Sequence, residues 1–164
     1  MLKLTGALFI ILSSAILGFY KAYTLKQRCD SLDKIIAALK TLKTEILYTK
    51  RDIKSIFMSI GDTQNLQLFC CAAEKMDTEN CRRALCDSVD EQKMYLLGTD
   101  NKVLKILAEN LGMTDTETQT GAIEHACIRL EEARKNAGTE YEKNSRLYRS
   151  AGILCGLLTV ILLY

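Results

Sequence analysis

The side chains best suited to chemistry in this sequence are seven cysteines and one histidine. Zinc sites favour cysteine pairs separated by about two to four residues. Cys81 and Cys86 lie at the upper limit of that spacing, and the adjacent Cys70 and Cys71 would point in different directions on a helix. Five of the seven fall at apolar positions of helical patterns, where cysteine acts as a small hydrophobic residue. The sequence therefore predicts cysteines that fill a core, with no metal site and no cofactor.

The single histidine, His125, lies beside Glu124 and two residues before Cys127. One histidine can act as a general acid or base, but a lone histidine on a helix flank is far more often structural or solvated. The sequence has no G-x-x-x-x-G-K-[ST], no H-E-x-x-H and no G-x-S-x-G motif. We therefore predict that the protein is not an enzyme. A zinc-dependent or redox enzyme built on the cysteines is the alternative from another class.

The elements that would position these residues are all helices. Apolar residues recur at steps of three and four, and sustained alternation typical of strands is absent. The pattern first predicts a helix over 32–47, which reaches about Lys50 and is capped at Asp30 or Ser31. A second helix ends at Gly61, a third covers 66–76, and a fourth is capped at Asp77 or Thr78. After a turn over 98–101, Gly112 stops a fifth helix, and a long last helix begins with a capping box from Thr114 to Glu117. Such helices favour an all-α fold, an antiparallel bundle.

Both ends of the chain are apolar. Residues 4–20 and 151–164 contain no charged side chain, and flanking tyrosines stand where interfacial aromatic residues of membrane helices are expected. Each stretch is shorter than the ~20 residues of a usual span, so the flanking tyrosines and lysines must complete it. We predict an N-terminal transmembrane anchor over 1–23, a helical bundle over 24–148 and a C-terminal transmembrane anchor over 149–164, with the last helix continuous into the membrane. A cleaved signal peptide is the alternative for the first segment, but a convincing cleavage site does not follow it.

The distribution of basic residues predicts the orientation of these anchors. On the outer side of the two apolar segments the only basic residue is Lys3. Six basic residues flank their inner sides: Lys21, Lys26, Arg28, Lys143, Arg146 and Arg149. The positive-inside rule then places the bundle in the cytoplasm. Seven cysteines agree with a reducing compartment, where an odd number needs no pairing.

Net charge along the bundle falls into three zones. Residues 21–54 carry +5, residues 55–142 carry −7 and residues 143–149 carry +3. A nucleic-acid binder would show a concentrated basic face, so that class is excluded. The basic zones form a collar suited to anionic lipid head groups. The acidic zone either faces a basic protein partner or is an ordinary solvated surface.

Two pairs of small residues have the spacing that brings membrane helices close together. Gly152 and Gly156 lie four residues apart in the last apolar segment, and Ser14 and Gly18 do so in the first. We predict that these residues take part in transmembrane packing, either of the two segments on each other or of each segment on another membrane protein. Glycine is also simply common in membrane helices.

Four stretches of the sequence share their order and spacing with one known family: the opening MLKLTGALFIILSSAILGF, then LKTEILYTKRDI, then the stretch from Leu111 to Gln119, and the closing stretch from Leu147. Through them the sequence as a whole resembles the stage III sporulation protein AB family of endospore-forming Firmicutes. The order and spacing of these stretches across the chain make the match. One departure lies after Tyr48, where the family usually has Thr-Pro-Leu and this chain has Lys50-Arg-Asp52-Ile.

The resemblance implies a component of the channel-like complex that links mother cell and forespore. The family's cytoplasmic domain is similar to the F-type platform domain of type II secretion and type IV pilus systems. By that analogy the chain would be a non-enzymatic platform subunit that contacts a stage III sporulation protein AA-like secretion ATPase, other subunits of the complex and membrane lipid, in the mother-cell membrane facing the forespore. A secretion or pilus platform unrelated to sporulation is the alternative function.

Four residues in the matching stretches are candidates for partner binding: Glu45, Tyr48, Asp115 and Gln119. Each also has a purely structural interpretation, such as helix capping at Asp115 and packing at Tyr48. Alanine substitution of Glu45 or Gln119 separates the two interpretations. Earlier melting indicates a structural role, whereas normal melting with loss of the ATPase indicates contact.

Overall fold

The computed structural model of the chain describes residues 2–49, 51–92, 94–112 and 115–163, and for residues 2–5, 7, 8, 11 and 163 it describes the backbone alone. Across these residues the chain forms helices and no strand, in the order α1 (Leu2–Tyr48), α2 (Ile53–Gln64), α3 (Gln67–Lys75), α4 (Cys81–Glu91), α5 (Gly98–Asn110) and α6 (Thr116–Leu163). The predicted all-α fold with a long last helix is confirmed.

The chain divides into two compact units. The terminal unit consists of Met1–Cys29 and Lys135–Tyr164, and the bundle unit consists of Asp30–Arg134. The predicted domain boundaries at residues 23 and 148 stay predictions. One helix in the described part of the chain, α6, is long and apolar enough to cross a membrane by length and composition.

Helix α1 does not begin at a cap near Asp30, as the sequence predicted. It runs without interruption from Leu2 to Tyr48. The chain has no proline, and no glycine lies between Gly18 and Gly61, so nothing in this stretch breaks the hydrogen-bond ladder. The apolar pattern over 32–47 was correctly identified as helical, and the predicted cap at Asp30 or Ser31 was wrong.

Helix α2 also passes its predicted end at Gly61 and stops at Asn65. Asn65 is the C-terminal cap of α2 and has the left-handed conformation (φ 51°). The backbone N–H of this cap donates a hydrogen bond to the carbonyl of Gly61. Gly61 is buried inside the helix instead, and a Cβ there would overlap Sγ of Cys70 and lie 2.9 Å from the Cys70 nitrogen. This glycine therefore allows α3 to approach α2 closely.

The start of α4 likewise differs from the prediction. Backbone turns continue past α3, with the N–H of Asp77 bonded to the carbonyl of Glu74 and that of Thr78 bonded to Lys75. Asn80 then caps α4, because its side-chain oxygen accepts a hydrogen bond from the Arg83 N–H at 2.9 Å. The predicted caps at Asp77 and Thr78 were therefore wrong.

The predicted turn over 98–101 is in fact the first turn of α5. The Asp100 carboxylate is buried and accepts a hydrogen bond from the N–H of Leu97 at 3.0 Å, which closes the helix start. The predicted stop at Gly112 is confirmed: α5 ends at Asn110, and Gly112 has a φ of 83°, a conformation that favours glycine.

The core of the bundle unit takes one apolar stripe from each helix. Phe57 of α2 and Phe69 of α3 pack edge to face, with ring centroids 5.0 Å apart. The fully buried large side chains of α1 to α5 include Leu32, Ile35, Leu39, Leu42, Ile56, Phe57, Ile60, Leu68, Phe69, Leu85, Leu104 and Leu107. From α6 the core receives Ile123, Ala126, Cys127 and Leu130.

Ion pairs between α1 and α6 establish that these helices run antiparallel in the bundle unit. As the residue number increases along α1, the residue number of the ion-pair partner on α6 decreases. The pairs are Asp33 with Arg134 (2.8 Å), Lys40 with Glu131 (2.7 Å) and Lys43 with Glu124 (2.8 Å). Exposed pairs of this kind contribute little to stability, about 0–1 kcal/mol each. They nevertheless show that the C-terminal end of α1 lies beside the N-terminal end of α6.

Candidate functional site

The ends of α1 and α6 form a groove of about 410 Å³, here called the α1/α6 groove. Its walls come from the last turn of α1, the connection to α2 and the first turn of α6: Ile46, Leu47, Tyr48, Thr49, Arg51, Ile53, Thr116 and Gln119. Two of the four predicted partner-binding residues, Tyr48 and Gln119, line it. Glu45 and Asp115 are not lining residues, but each directly precedes one in the sequence: Glu45 precedes Ile46, and Asp115 precedes Thr116.

Tyr48 is the most exposed large side chain of this groove, at 83%. Leu47 beside it is 48% exposed, and the side chain of Arg51 is 49% exposed. An aromatic ring left in water at this level does not pack in the fold, so the structural interpretation of Tyr48 as a core residue does not hold. Tyrosine and arginine are also the residue types that dominate the binding energy of protein interfaces.

Glu45 organises the last turn of α1. The Thr49 hydroxyl donates hydrogen bonds to the Glu45 backbone carbonyl at 2.7 Å and to its carboxylate at 3.1 Å. The same carboxylate lies 3.9 Å from Nη1 of Arg51. Glu45 therefore links the helix end to the first residues of the α1–α2 connection, on the wall where Tyr48 is exposed.

Asp115 caps α6. Its carboxylate accepts hydrogen bonds from the N–H of Thr118 at 3.0 Å and from the Thr118 hydroxyl at 2.8 Å. These bonds favour the ionised form and lower the pKa of Asp115. Asp52 does the same for α2 through Ser55, with a lowered pKa. Thr114 of the predicted capping box lies outside the described residues.

Sequence reasoning missed the arginine of this groove. Arg51 belongs to the tetrapeptide in which the chain departs from the pattern of the family that it resembles. The position of its side chain at the groove depends on Glu45 and on the turn into α2. Lys50 of that tetrapeptide lies outside the described residues. The signal that could have identified Arg51 is its position between an exposed tyrosine and an N-cap aspartate.

The terminal unit brings together three of the four predicted small residues. The Ser14 hydroxyl donates a hydrogen bond to the Gly152 carbonyl at 2.6 Å. A Cβ on Gly152 would lie 3.1 Å from Cα of Gly18, and one on Gly18 would overlap the Tyr148 carbonyl oxygen. Gly156 is buried in the same unit. A role of these residues within a membrane stays a prediction.

Two residues of the predicted basic collar have defined partners in this unit. The guanidinium of Arg149 lies 5.7 Å from the ring centroid of Phe19, a cation–π distance. Arg28 lies 3.7 Å from the Glu140 carboxylate. Tyr20 and Tyr23 are more than half exposed. Tyr164, which is one of the tyrosines that flank the apolar segments, and the basic Lys3 lie outside the residues whose side chains are described.

Within the described ranges, no three cysteine, histidine, aspartate or glutamate side chains are grouped so as to hold a metal ion. The seven cysteines are free; Cys29 and Cys127 are buried, and Cys155 is exposed. Burial raises the pKa of Cys81 to about 11 and also raises the pKa of Cys127. A reactive cysteine needs a lowered pKa, so these two thiols are suited to packing.

Over the residues that the structure describes, the protein is helical, α6 is suited to crossing a membrane by length and composition, and the bundle unit has a groove with an exposed tyrosine. The family whose description is Stage III sporulation protein AB matches residues 3–164, and the chain belongs to that family. The resemblance drawn from the sequence is therefore confirmed. The family carries the name of a sporulation protein and not of an enzyme.

Two further comparisons agree with this membership. The chain is 29% identical over 170 residues to Stage III sporulation protein AB of Bacillus subtilis (strain 168), covering 99% of each sequence. A solved structure of Stage III sporulation protein AB matches with a TM-score of 0.65 at 23% identity, over 70% of this chain and 96% of the other. The first supports a stage III sporulation protein AB role, and the second supports the helical fold.

Proposed function

We propose that this chain is a non-enzymatic membrane platform subunit of the channel complex that links mother cell and forespore. In this role it couples a cytoplasmic secretion ATPase, similar to stage III sporulation protein AA, to the membrane assembly. Membership in the sporulation family supports the process and favours it over a secretion or pilus platform unrelated to sporulation. The ATPase contact rests on the similarity to platform domains of secretion systems and on the α1/α6 groove.

The observation that carries the proposed contact is the exposure of Tyr48 beside Arg51. Tyrosine and arginine are enriched among the few interface residues whose truncation costs about 2 kcal/mol or more. The Glu45 carboxylate holds the arginine at the base of this wall, so the groove presents an aromatic ring and a cation together. We assign this wall of the groove to the ATPase.

The proposed topology is two-pass, with both terminal segments in the mother-cell membrane facing the forespore and the bundle in the cytoplasm. Its support is the apolar C-terminal part of α6 and the basic residues that flank both segments. Basic side chains near an anionic leaflet each contribute about 1 kcal/mol to binding. Membrane lipid is therefore the second partner class, alongside other subunits of the complex.

The test uses the full chain in lipid nanodiscs and the purified stage III sporulation protein AA ATPase of the same organism. Tyr48→Ala should weaken binding by about tenfold or more, as loss of an interface aromatic does. Tyr95→Ala is the matched control, because Tyr95 is exposed (42%) but lies in the α4–α5 connection, outside the groove residues. Equal binding by wild type and Tyr48→Ala would remove the groove from the ATPase contact.

The process is tested separately by the yield of heat-resistant spores after deletion of the gene, with a wild-type copy restored. We expect the yield to collapse after engulfment and to recover with the restored copy. Normal spores would contradict the sporulation role itself, whatever the result of the binding measurement.

A further inference from the structure

A second groove, of about 540 Å³, lies between α5 and α6 in the bundle unit and is here called the α5/α6 groove. Its lining is mainly apolar, and Asn110 and Thr118 lie at one end with Arg129 at the other: Val103, Ile106, Leu107, Asn110, Thr118, Gly121, Ala122, His125, Ala126 and Arg129. None of the four predicted partner-binding residues lines it.

Small side chains on α6 keep this groove open. Gly121, Ala122 and Ala126 form its α6 wall, and a Cβ built on Gly121 would meet no atom within 4 Å. The opposite wall presents Ile106, which is 62% exposed. Ile128 follows His125 by three residues on the same side of α6 and is 50% exposed. An exposed apolar surface of this kind is typical of a protein interaction site.

One end of the groove is positively charged. Arg129 lines that end, and Lys102 precedes Ile106 by four residues, one turn away on the same face of α5. In the part of the chain that the structure describes, neither cation forms an ion pair, whereas Lys105 on the same helix is paired with Asp90 at 2.7 Å. The surrounding residues 55–142 carry a net charge of −7, so these two cations stand against the local charge.

We propose that the α5/α6 groove binds an amphipathic helix of a partner protein, whose apolar side chains contact Ile106 and Ala122 and whose carboxylate pairs with Arg129. The wall on α6 extends from Thr118 to Arg129, about 16 Å at 1.5 Å per residue, which accommodates roughly three turns of helix. Helices that bind such grooves use anchors three, four and seven residues apart. The carboxylate fixes the direction of the helix, because the cations occupy one end only.

This binding site goes beyond the proposed ATPase contact, which uses the C-terminal end of α1 and the first turn of α6. The two grooves share no lining residue. A platform with two separate binding surfaces can hold two partners at once, whereas overlapping surfaces would make the partners compete.

The test places a photo-crosslinking amino acid at Ile106 in the full chain, expressed in sporulating cells, with the same residue at Met58 on α2 as the positional control. Met58 is 41% exposed and belongs to neither groove. We expect a protein adduct at Ile106 whose cross-linked peptide, identified by mass spectrometry, is an amphipathic helix carrying an acidic side chain.

Paired substitutions then connect the adduct to the geometry. Gly121→Leu fills the groove and Gly121→Ala leaves it open, and both replace a helical glycine by a better helix former, so neither should impair folding. Arg129→Glu reverses the charge at the groove, and Arg83→Glu reverses an exposed charge on α4. We expect Gly121→Leu and Arg129→Glu to lower the adduct yield by about tenfold or more, with Gly121→Ala and Arg83→Glu unchanged.

Three results would overturn the proposal. An adduct with a second copy of this chain would make the groove a self-association surface, and an adduct with lipid would make it a membrane contact. An adduct yield at Ile106 no higher than at Met58, or unaffected by Gly121→Leu and Arg129→Glu, would mean that no acidic helix binds there.

Discussion

The hydroxyl of Ser14 donates a hydrogen bond to the backbone carbonyl of Gly152 at 2.6 Å, joining α1 to α6 within the terminal unit. This bond is possible because Gly18 and Gly152 bring the two backbones together: a Cβ on Gly152 would lie 2.9 Å from the Ser14 carbonyl oxygen. Close approach through small residues is how helices associate in membranes, where burial of apolar surface gives little driving force.

Replacing Gly152 by leucine should therefore separate the two helices of this unit. The added side chain has no space against Ser14 and Gly18, so we expect a loss of about 1–3 kcal/mol in the free energy of unfolding, as for other overpacked sites. Ser14→Ala should cost less, about 0.6 kcal/mol for a hydrogen bond between membrane helices. Thermal unfolding of the full chain in detergent, followed by circular dichroism, measures both.

Ala151→Leu is the control for bulk alone. Ala151 neighbours Gly152 and is exposed, so a leucine there adds a similar apolar side chain that meets no helix. If Ala151→Leu lowers the melting temperature as much as Gly152→Leu does, close packing at the glycine is not what stabilises this unit.

A second glycine makes a comparable prediction inside the bundle unit. Gly61→Ala places a methyl group against Sγ and the backbone nitrogen of Cys70, and we expect destabilisation of about 1–3 kcal/mol despite the better helix propensity of alanine. Gly121→Ala, with nothing within 4 Å, should instead stabilise the fold by up to about 1 kcal/mol. Urea unfolding of the two variants gives the signs, and equal signs would contradict the packing at Gly61.

Glu45→Ala tests whether this residue shapes the α1/α6 groove or touches the partner. The substitution removes the partner of Arg51 and one of the two acceptors of the Thr49 hydroxyl, while the backbone carbonyl acceptor remains, so we expect a small loss of stability, below about 1 kcal/mol. We also expect weaker ATPase binding, because Arg51 is released. Arg51→Ala should then reduce ATPase binding without an equal effect on melting. If Glu45→Ala melts much earlier and Arg51→Ala binds normally, Glu45 is structural only.

The pH dependence of α6 can be assigned to its cap. The hydrogen bonds from Thr118 lower the pKa of Asp115 in the folded state, so this carboxylate stabilises the fold above its unfolded pKa of about 3.9. That stability is lost as the pH falls through the lower folded pKa. Asp115→Asn keeps a capping side chain that does not titrate. We expect it to remove part of the decrease in melting temperature between about pH 5 and pH 2, while Asp115→Ala should lower the melting temperature at neutral pH as well.

The helices of this chain could be predicted from periodicity because apolar residues at steps of three and four have to share one face. Their ends were predicted less well. The predicted caps at Asp30 and Asp77 are suitable residue types, yet the backbone remains helical through the first and turns on past the second. Gly61 was expected to end α2, but its missing side chain serves packing against Cys70, a contact between helices that local sequence does not encode.

The candidate site, like the helices, could be predicted from the sequence only in part. Tyr48 and Gln119 were chosen from matching stretches of sequence far apart in the chain, and the antiparallel register of α1 and α6 brings them to one groove. The α5/α6 groove had no signal in the sequence, because Ile106 and Arg129 fit ordinary amphipathic helices. Only the packing of α5 on α6 shows that this apolar surface is left uncovered.

The cysteines allow a direct test of the enzymatic alternative. Burial raises the pKa of Cys81 to about 11, so its thiol is almost fully protonated at pH 8.5. We expect its alkylation by iodoacetamide, resolved by mass spectrometry on the full chain, to be about a hundredfold slower than in guanidinium, where the pKa returns to about 8.5. Because the thiol ionises more readily in the unfolded chain, the folded state should lose stability as the pH rises above about 8.5. Alkylation of native Cys81 at the unfolded rate would contradict its raised pKa, and faster alkylation would mean an activated thiol, the property that a redox enzyme requires.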